Sequence, residues 1–332
     1  MRFVRYISIF ILIGAAVFFI YRYSPHYQII KGEIFGTYYT VKIKTDNKNP
    51  QLKTLIEKRL QEINASQSVF LNDSEISLIN QAKSGKKIKL SEDMRTVLRA
   101  ADKVYRQTKG AFDPSLGKLI ELWGFGADKK ITPDDKEVKK ALQAVGFSKF
   151  KFTQDYQYIT KSRNDLFLNL SGIAKGYGVD EIAALLEREG YKDFIVEIGG
   201  EIKTKGYRSD GREAWVVGIN KPSASSYENI MAISLSNMAV ATSGNYRNFY
   251  ESNGKVFGHT ISSKTGYPVE TDVLSASVFD TSCMMADAYA TAMVVLGVEK
   301  ALDFADKHNL KAVLYDTQYR RYVSQSAGDM FQ

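Results

Sequence analysis

Asp287 and Thr291 stand four residues apart in the apolar run SCMMADAYATAMVVLG, residues 282–297. In a helix that spacing puts both side chains on one face. A carboxylate beside a hydroxyl is a pair of hard oxygen donors that suits Mg²⁺, an ion that takes few protein ligands and completes its octahedron with water and substrate phosphate. The plainer reading is a carboxylate that caps or salt-bridges and a threonine that bonds back to its own helix. Cys283, Met284 and Met285 read as core filling.

Three further segments carry residues with chemical potential. In NLSGIAKGYGVD, residues 169–180, Gly172, Gly176 and Gly178 allow close approach of backbone to a ligand, the start of a helix offers unpaired N–H groups suited to phosphate, and Lys175 adds a point charge. No Walker or GxGxxG pattern is present, so a conventional nucleotide fold is unsupported, and for the motif taken alone a simple helix-start turn is the favoured reading of the glycines. GHTISSKTGYP, residues 258–268, sets His259 among small polar residues, either as a structural histidine or as a base that takes a proton from an attacking hydroxyl. LIELWGFG, residues 119–126, offers Trp123 and Phe125 as core packing or as an aromatic wall for a planar ring.

The elements that must position these residues follow from periodicity. TYYTVKIK (37–44) alternates as a strand, and residues 51–64 place Leu52, Leu55, Ile56, Leu60 and Ile63 at helical spacing. A second helix is expected over 94–108, and the turn at Gly172 feeds a helix that stops at Gly190. Short strands are expected at 194–200, 201–206 and 214–220, then in IMAISLS, MAVATSG and LSASVFD; helices over 283–296 and 298–307 lead to the strand KAVLYD. Strand runs and helices do not alternate strictly, which favours α+β over a doubly wound parallel sheet.

Composition narrows the function classes. The 332 residues, 44% hydrophobic and 25% charged with 6 Pro, belong to a folded globular chain rather than a disordered or fibrous one. The net charge of +8 is spread thinly, with Arg2, Arg5 and Arg22 supplying part of it, and does not argue for nucleic acid. One cysteine, Cys283, excludes an intramolecular disulfide and cysteine zinc sites, and three histidines leave little for a histidine cage. Residues 6–21, YISIFILIGAAVFFIY, form an uncharged apolar run between Arg5 and Arg22. That run is read as an uncleaved signal anchor within residues 1–24, with Tyr6, Tyr21 and Tyr23 at the interfaces. The cations before it are expected to keep the N-terminus in the cytoplasm, so that the domain, residues 25–332, faces outward across the membrane.

Eight segments in order resemble the ApbE family of flavin transferases: FGTYYTVKI (35–43), SVFLNDSEISLIN (68–80), FDPSLGKLIELWGFG (112–126), LNLSGIAKGYGVD (168–180), IGGEIKTKG (198–206), ATSGNYRNF (241–249), HTISSKTGYP (259–268) and ADAYATAMVVLG (286–297). The resemblance implies a single α+β, T-fold-related domain with mixed or antiparallel sheets and flanking helices. It implies an extracytoplasmic, Mg²⁺-dependent enzyme that cleaves FAD and joins FMN to a Thr or Ser hydroxyl of a target protein, releasing AMP. The target would be a redox-pump subunit or an extracellular electron-transfer protein. Carried over by position, the metal falls to Asp287, Thr291 and the carbonyl of Gly172; flavin and adenosine contacts fall to Phe35, Phe70, Trp123, Gly124, Phe125, Asn169, Lys175 and Thr260; His259 is the base. The chain departs from the family pattern at Phe35 (Met), Phe70 (Tyr), Asn169 (Asp), Glu197 (Asn) and Ser262-Ser263 (Asp-Pro). Two other functions are compatible with the same residues: a membrane-anchored FAD carrier, and an FAD pyrophosphatase in which water replaces the protein hydroxyl.

Overall fold

In the computed structural model, residues 25–125, 132–220, 229–244, 249–252 and 255–331 are described. The expected anchor, residues 1–24, lies outside them, and among the described residues no helix is long and apolar enough to cross a membrane. Strands β1 (Tyr27–Ile34) and β2 (Thr37–Lys44) form a hairpin, followed by helices α1 (Leu52–Gln67) and α2 (Glu75–Gln81), the short strand β3 (Ile88–Lys89) and helix α3 (Glu92–Gln107). Helices α4 (Gly117–Leu122) and α5 (Asp135–Leu142) lead to β4 (Phe150–Phe152) and β5 (Tyr158–Lys161), and α6 (Ala174–Arg188) leads to β6 (Phe194–Ile198) and β7 (Glu201–Lys205). The strand-rich part comprises β8 (Trp215–Asn220), β9 (Asn229–Leu235), β10 (Ala239–Gly244), β11 (Phe249–Ser252), β12 (Lys255–Gly258) and β13 (Val273–Asp280). Helices α7 (Cys283–Leu296) and α8 (Val298–Lys307) precede β14 (Lys311–Asp316) and β15 (Arg321–Val323).

Eight strands make one sheet in the order β1-β2-β6-β7-β10-β13-β14-β15, with each neighbouring pair antiparallel. The class is α+β, as expected, and the described ladders are antiparallel; among the described residues parallel contact is limited to an isolated bridge between Leu116 and Phe167. The apolar strand runs are explained by burial on both faces. Along β10, Ala239 and Ala241 face the helical side while Val240 packs with the β8–β9 hairpin on the other. Along β14, Ala312 and Leu314 face the helices while Val313 and Tyr315 face that hairpin, the period-2 alternation of a pleated strand.

Local signals set the helix ends. Ser91 and Ser282 accept the N–H groups of Met94 and Met285 as N-caps of α3 and α7, and Asp134 with Glu137 closes a capping box on α5. Leu52, Ile56, Leu60 and Ile63 of α1 are buried as predicted, whereas Leu55 is 39% exposed because it lies off the face that meets the sheet.

Candidate functional site

The site forms where the first turn of α6 passes under α7. Gly176 is the contact point: a Cβ there would lie 2.4 Å from the carbonyl oxygen of Cys283 and 2.8 Å from the Cα of Met284, so no side chain fits between the two backbones. The Gly176 N–H, one of the donors left unpaired at a helix start, points at α7 and donates to Asp287 Oδ2 at 3.0 Å. The sequence reading assigned such N–H groups to phosphate; this one is taken by the buried carboxylate instead. One turn further along α7, Thr291 faces Gly172, where an added Cβ would stand 3.1 Å from the threonine Oγ1, and Ser243 of β10 shares a hydrogen bond with that hydroxyl at 3.1 Å. The expected shared face of Asp287 and Thr291 is therefore turned onto the start of α6.

The crossing is locked by Asp180, which lies in α6. Its carboxylate accepts the Ser282 hydroxyl at 2.8 Å and the N–H groups of Cys283 and Met284 at 3.0 Å, and it pairs with Lys203 of β7 at 2.7 Å. A charged cap of this kind satisfies the free donors of α7 and complements the positive end of its dipole.

Lys175 sits between two buried carboxylates, with Nζ 3.1 Å from Glu201 Oε1 and 3.9 Å from Asp287 Oδ1. Glu201 and Asp287 are 3% and 2% exposed, so little solvent screens the cluster. Burial alone would lower the Lys175 ammonium, but Asp287 and Glu201 outweigh it and hold it above its ordinary value. Burial pushes Glu201 up to about 8 against the pull of Lys175, and raises Asp287 against Lys175 and the Gly176 N–H. Glu201 Oε2 is buried without a hydrogen-bond partner. Burial also drives the Cys283 thiol well above its ordinary value, consistent with the core role expected for it.

Two hairpin tips frame this cluster. The β1–β2 turn places Phe35 at φ +54° and Gly36 at φ +74°, both in the left-handed region, and its ring lies where a Cβ on Gly178 would stand 2.8 Å from Cε2. A phenylalanine there carries local strain of about 1 kcal/mol or more. Beside it, Gly199 (φ +60°) and Gly200 (φ +103°) turn β6 into β7 and put Glu201 opposite Ile198. The stem of Lys175 runs along this turn, its Cδ 3.4 Å from the Cβ position of Gly199.

A second group surrounds His259, which is half-buried at the start of a closed loop. Val269 N–H donates to Thr260 O at 2.8 Å, Ser262 N–H to Tyr267 O at 2.9 Å and Gly266 N–H to Ser262 O at 2.8 Å. Ser262 Oγ accepts from the N–H groups of Lys264 and Thr265, so a serine caps the turn here. Trp123 is 1% exposed, and its indole N–H donates to Gly266 O at 2.8 Å, so it pins the loop from beneath instead of presenting an open wall. Phe125 packs half-buried in the same cluster as Trp123 and Ile261, and Gly124 turns the chain at φ +73°. Ser263 Oγ donates to Gly110 O at 2.7 Å.

One segment joins the two groups. Gly110 holds the His259 loop, Phe112 stands 3.3 Å from the Cβ position of Gly172, the Pro114 carbonyl accepts the Asn169 N–H at 2.8 Å, and Trp123 ends the run. Asn169 in turn uses Oδ1 to cap the N–H of Ser171 at 2.9 Å. Phe70 stands apart, 74% exposed in the turn after α1. A shallow depression lined by Lys87, Thr153, Asp155 and Tyr158 involves none of these residues. Sequence reasoning missed Glu201, Asp180 and Ser243, although all three lie inside quoted segments; polar residues in glycine-containing stretches were the available signal.

The sequence matches the ApbE family over residues 35–314. It is 35% identical to the FAD:protein FMN transferase of Haemophilus influenzae, covering 90% of this chain and 89% of that one. Against the FAD:protein FMN transferase of Vibrio cholerae the identity is 34%, covering 91% and 92%. The solved structure of the flavin transferase ApbE from Vibrio cholerae superposes with a TM-score of 0.84 at 32% identity, covering 92% of this chain and 100% of that one. The apo flavinyl transferase ApbE of Pseudomonas stutzeri gives 0.82 at 27%, covering 93% and 99%.

Proposed function

This chain belongs to the ApbE family, and on that premise we propose that it is an FAD:protein FMN transferase, moving the FMN part of FAD onto a protein. The observation that carries the reading is the convergence of Asp287, Thr291, Gly172 and Lys175 where α6 starts beneath α7.

The donors at that crossing fit a hard divalent cation. They are carboxylate, hydroxyl and carbonyl oxygens, Gly172 packs tightly on Thr291 with its Cβ position 3.1 Å from Oγ1, and two buried carboxylates face one ammonium. Asp287, Thr291 and the Gly172 carbonyl would hold Mg²⁺. When bound, the ion neutralises pyrophosphate charge and the charge that develops on departing AMP.

The remaining work falls to protein groups. Lys175 supplies a positive charge to phosphate oxygens, while Phe35, Gly124, Phe125, Asn169 and Thr260 bind and orient the two ring systems and Trp123 steadies the His259 loop from beneath. The hydroxyl oxygen of an acceptor Thr or Ser attacks the FMN-side phosphorus. His259 takes the hydroxyl proton, the new P–O ester forms as the bond to the AMP phosphate breaks, and AMP leaves. No covalent enzyme intermediate is required, so no nucleophilic triad is needed. The reading places the domain outside the inner membrane behind its N-terminal anchor, acting on a redox-pump subunit or an extracellular electron-transfer protein and not on nucleic acid.

The test is to incubate the protein with FAD, Mg²⁺ and an acceptor carrying a D-x-x-(S/T)-(A/G)-T-like site. Flavin fluorescence that stays with the denatured acceptor, with one AMP released per flavin attached, is the expected result. Free FMN plus AMP would identify a pyrophosphatase, and bound but intact FAD a carrier.

A further inference from the structure

Asp287 has two oxygens, and the structure spends only one. Oδ2 takes the Gly176 N–H at 3.0 Å, while Oδ1 has Lys175 Nζ at 3.9 Å, beyond hydrogen-bonding distance. The lysine is instead within reach of Glu201 Oε1 at 3.1 Å. A movement of about 1 Å by a flexible four-carbon stem would bring the ammonium onto Oδ1, and both oxygens of Asp287 would then be committed to protein donors.

Glu201 is built to oppose that movement. It is 3% exposed at the first position of β7, fixed opposite Ile198 by the Gly199-Gly200 turn whose backbone also borders the lysine stem. Its other oxygen, Oε2, is buried with no hydrogen-bond partner, so among the described residues the side chain is committed to Lys175 of α6. We propose that Glu201 is a positioning residue that draws the Lys175 ammonium away from Asp287 and so keeps one Asp287 oxygen open to a divalent cation. The inference rests on the metal reading given above, and it deepens that reading by assigning a role to a residue outside the ligand set.

Titration of the full chain without flavin, using Mn²⁺ alone as the probe and the paramagnetic signal of free Mn²⁺ as the readout, tests it. Glu201→Asp keeps the charge but withdraws the carboxylate by one methylene. We expect Mn²⁺ to bind it about tenfold or more weakly, the scale of losing a residue that orients metal ligands. Adding Lys175→Met to that variant removes the competing ammonium and should return the affinity to the wild-type value or above. Unchanged binding by Glu201→Asp would mean that only the charge of Glu201 matters, and a loss that Lys175→Met does not reverse would trace the effect to distortion; either overturns the proposal. Wild type binding Mn²⁺ no better than Asp287→Asn would remove the metal reading itself. A crystal structure of Glu201→Gln decides the point without metal: Lys175 Nζ should close on Asp287 Oδ1 to about 3 Å, and a separation left at 3.9 Å would refute the inference alone.

Discussion

Replacing Asp287 with Asn separates what this residue does for the fold from what it does for the reaction. The carboxylate is 2% exposed, receives the Gly176 N–H at 3.0 Å and has Lys175 at 3.9 Å. Asn has nearly the same volume and can still accept the Gly176 N–H, so no cavity forms and the α6–α7 contact survives. Two terms change. A charge-assisted hydrogen bond becomes a neutral one, which costs about 1 kcal/mol. Against that, the folded carboxyl is raised by burial more than Lys175 and Gly176 lower it. Whatever stability Asp287 contributes is therefore present below the ordinary carboxylate range and lost as pH rises through its raised folded value. The amide escapes that loss, and the two terms roughly cancel at neutral pH. Scanning calorimetry in chelator should place the variant's Tm within about 3 °C of wild type at pH 7.5, with the comparison shifting toward the variant as pH rises from acid. Turnover behaves otherwise: losing an anionic metal ligand removes several kcal/mol of charge stabilisation, so FMN transfer at limiting Mg²⁺ should fall by about 10²-fold or more. A variant that transfers FMN at the wild-type rate would refute the catalytic assignment. One that melts ten degrees early would show that Asp287 is chiefly a structural cap.

Gly176→Ala forces a methyl to within 2.4 Å of the Cys283 carbonyl oxygen, so thermal melts should show a loss of about 2 kcal/mol or more together with reduced transfer. Trp123→Phe leaves the Gly266 carbonyl without its buried donor; urea titration should report about 1–3 kcal/mol of destabilisation, and protease cleavage should become faster between residues 258 and 269. His259→Ala should abolish covalent transfer while FAD binding, followed by flavin fluorescence, persists. For Asp316, desolvation would raise the carboxyl, but the N–H and guanidinium of Arg320, the N–H of Gln318 and the Tyr322 hydroxyl hold it down at about 2. Its contribution is complete above the ordinary carboxylate range and disappears as pH falls toward 2. Asp316→Asn should therefore be less stable than wild type at neutral pH, with the gap in urea midpoints closing between about pH 4 and pH 2.

Periodicity and caps carried much of the secondary structure. Residues 283–296, 298–307 and 311–316 form the elements their patterns predict, because each is specified by its own apolar spacing and by neighbours such as Ser282 and Gly297. The helix at 94–108 was displaced to Glu92–Gln107 because the Ser91 cap sets its start. Strand β1 and the short helix α5 were not recognised: β1 is settled by its ladder with β2, and α5 is too brief to show a period. The pairing of Asp287 with Thr291 was legible for the same local reason as the helices, since four residues of helix return to one face.

What chain order alone determined, then, was an α+β domain with an acid and a hydroxyl one turn apart, a glycine-rich helix start and a histidine loop. What lies opposite them was decided by folding. Gly176 meets Asp287 across 111 residues, Ser263 meets Gly110 across 153, and Trp123 reaches Gly266 across 143. Nothing local distinguishes Trp123 as an anchor from Trp123 as a ring wall, or Glu201 as a surface acid from the buried partner of Lys175. Those roles depend on which water-excluded neighbours each group acquires, and burial is a property of the packed chain that no short window of residues contains.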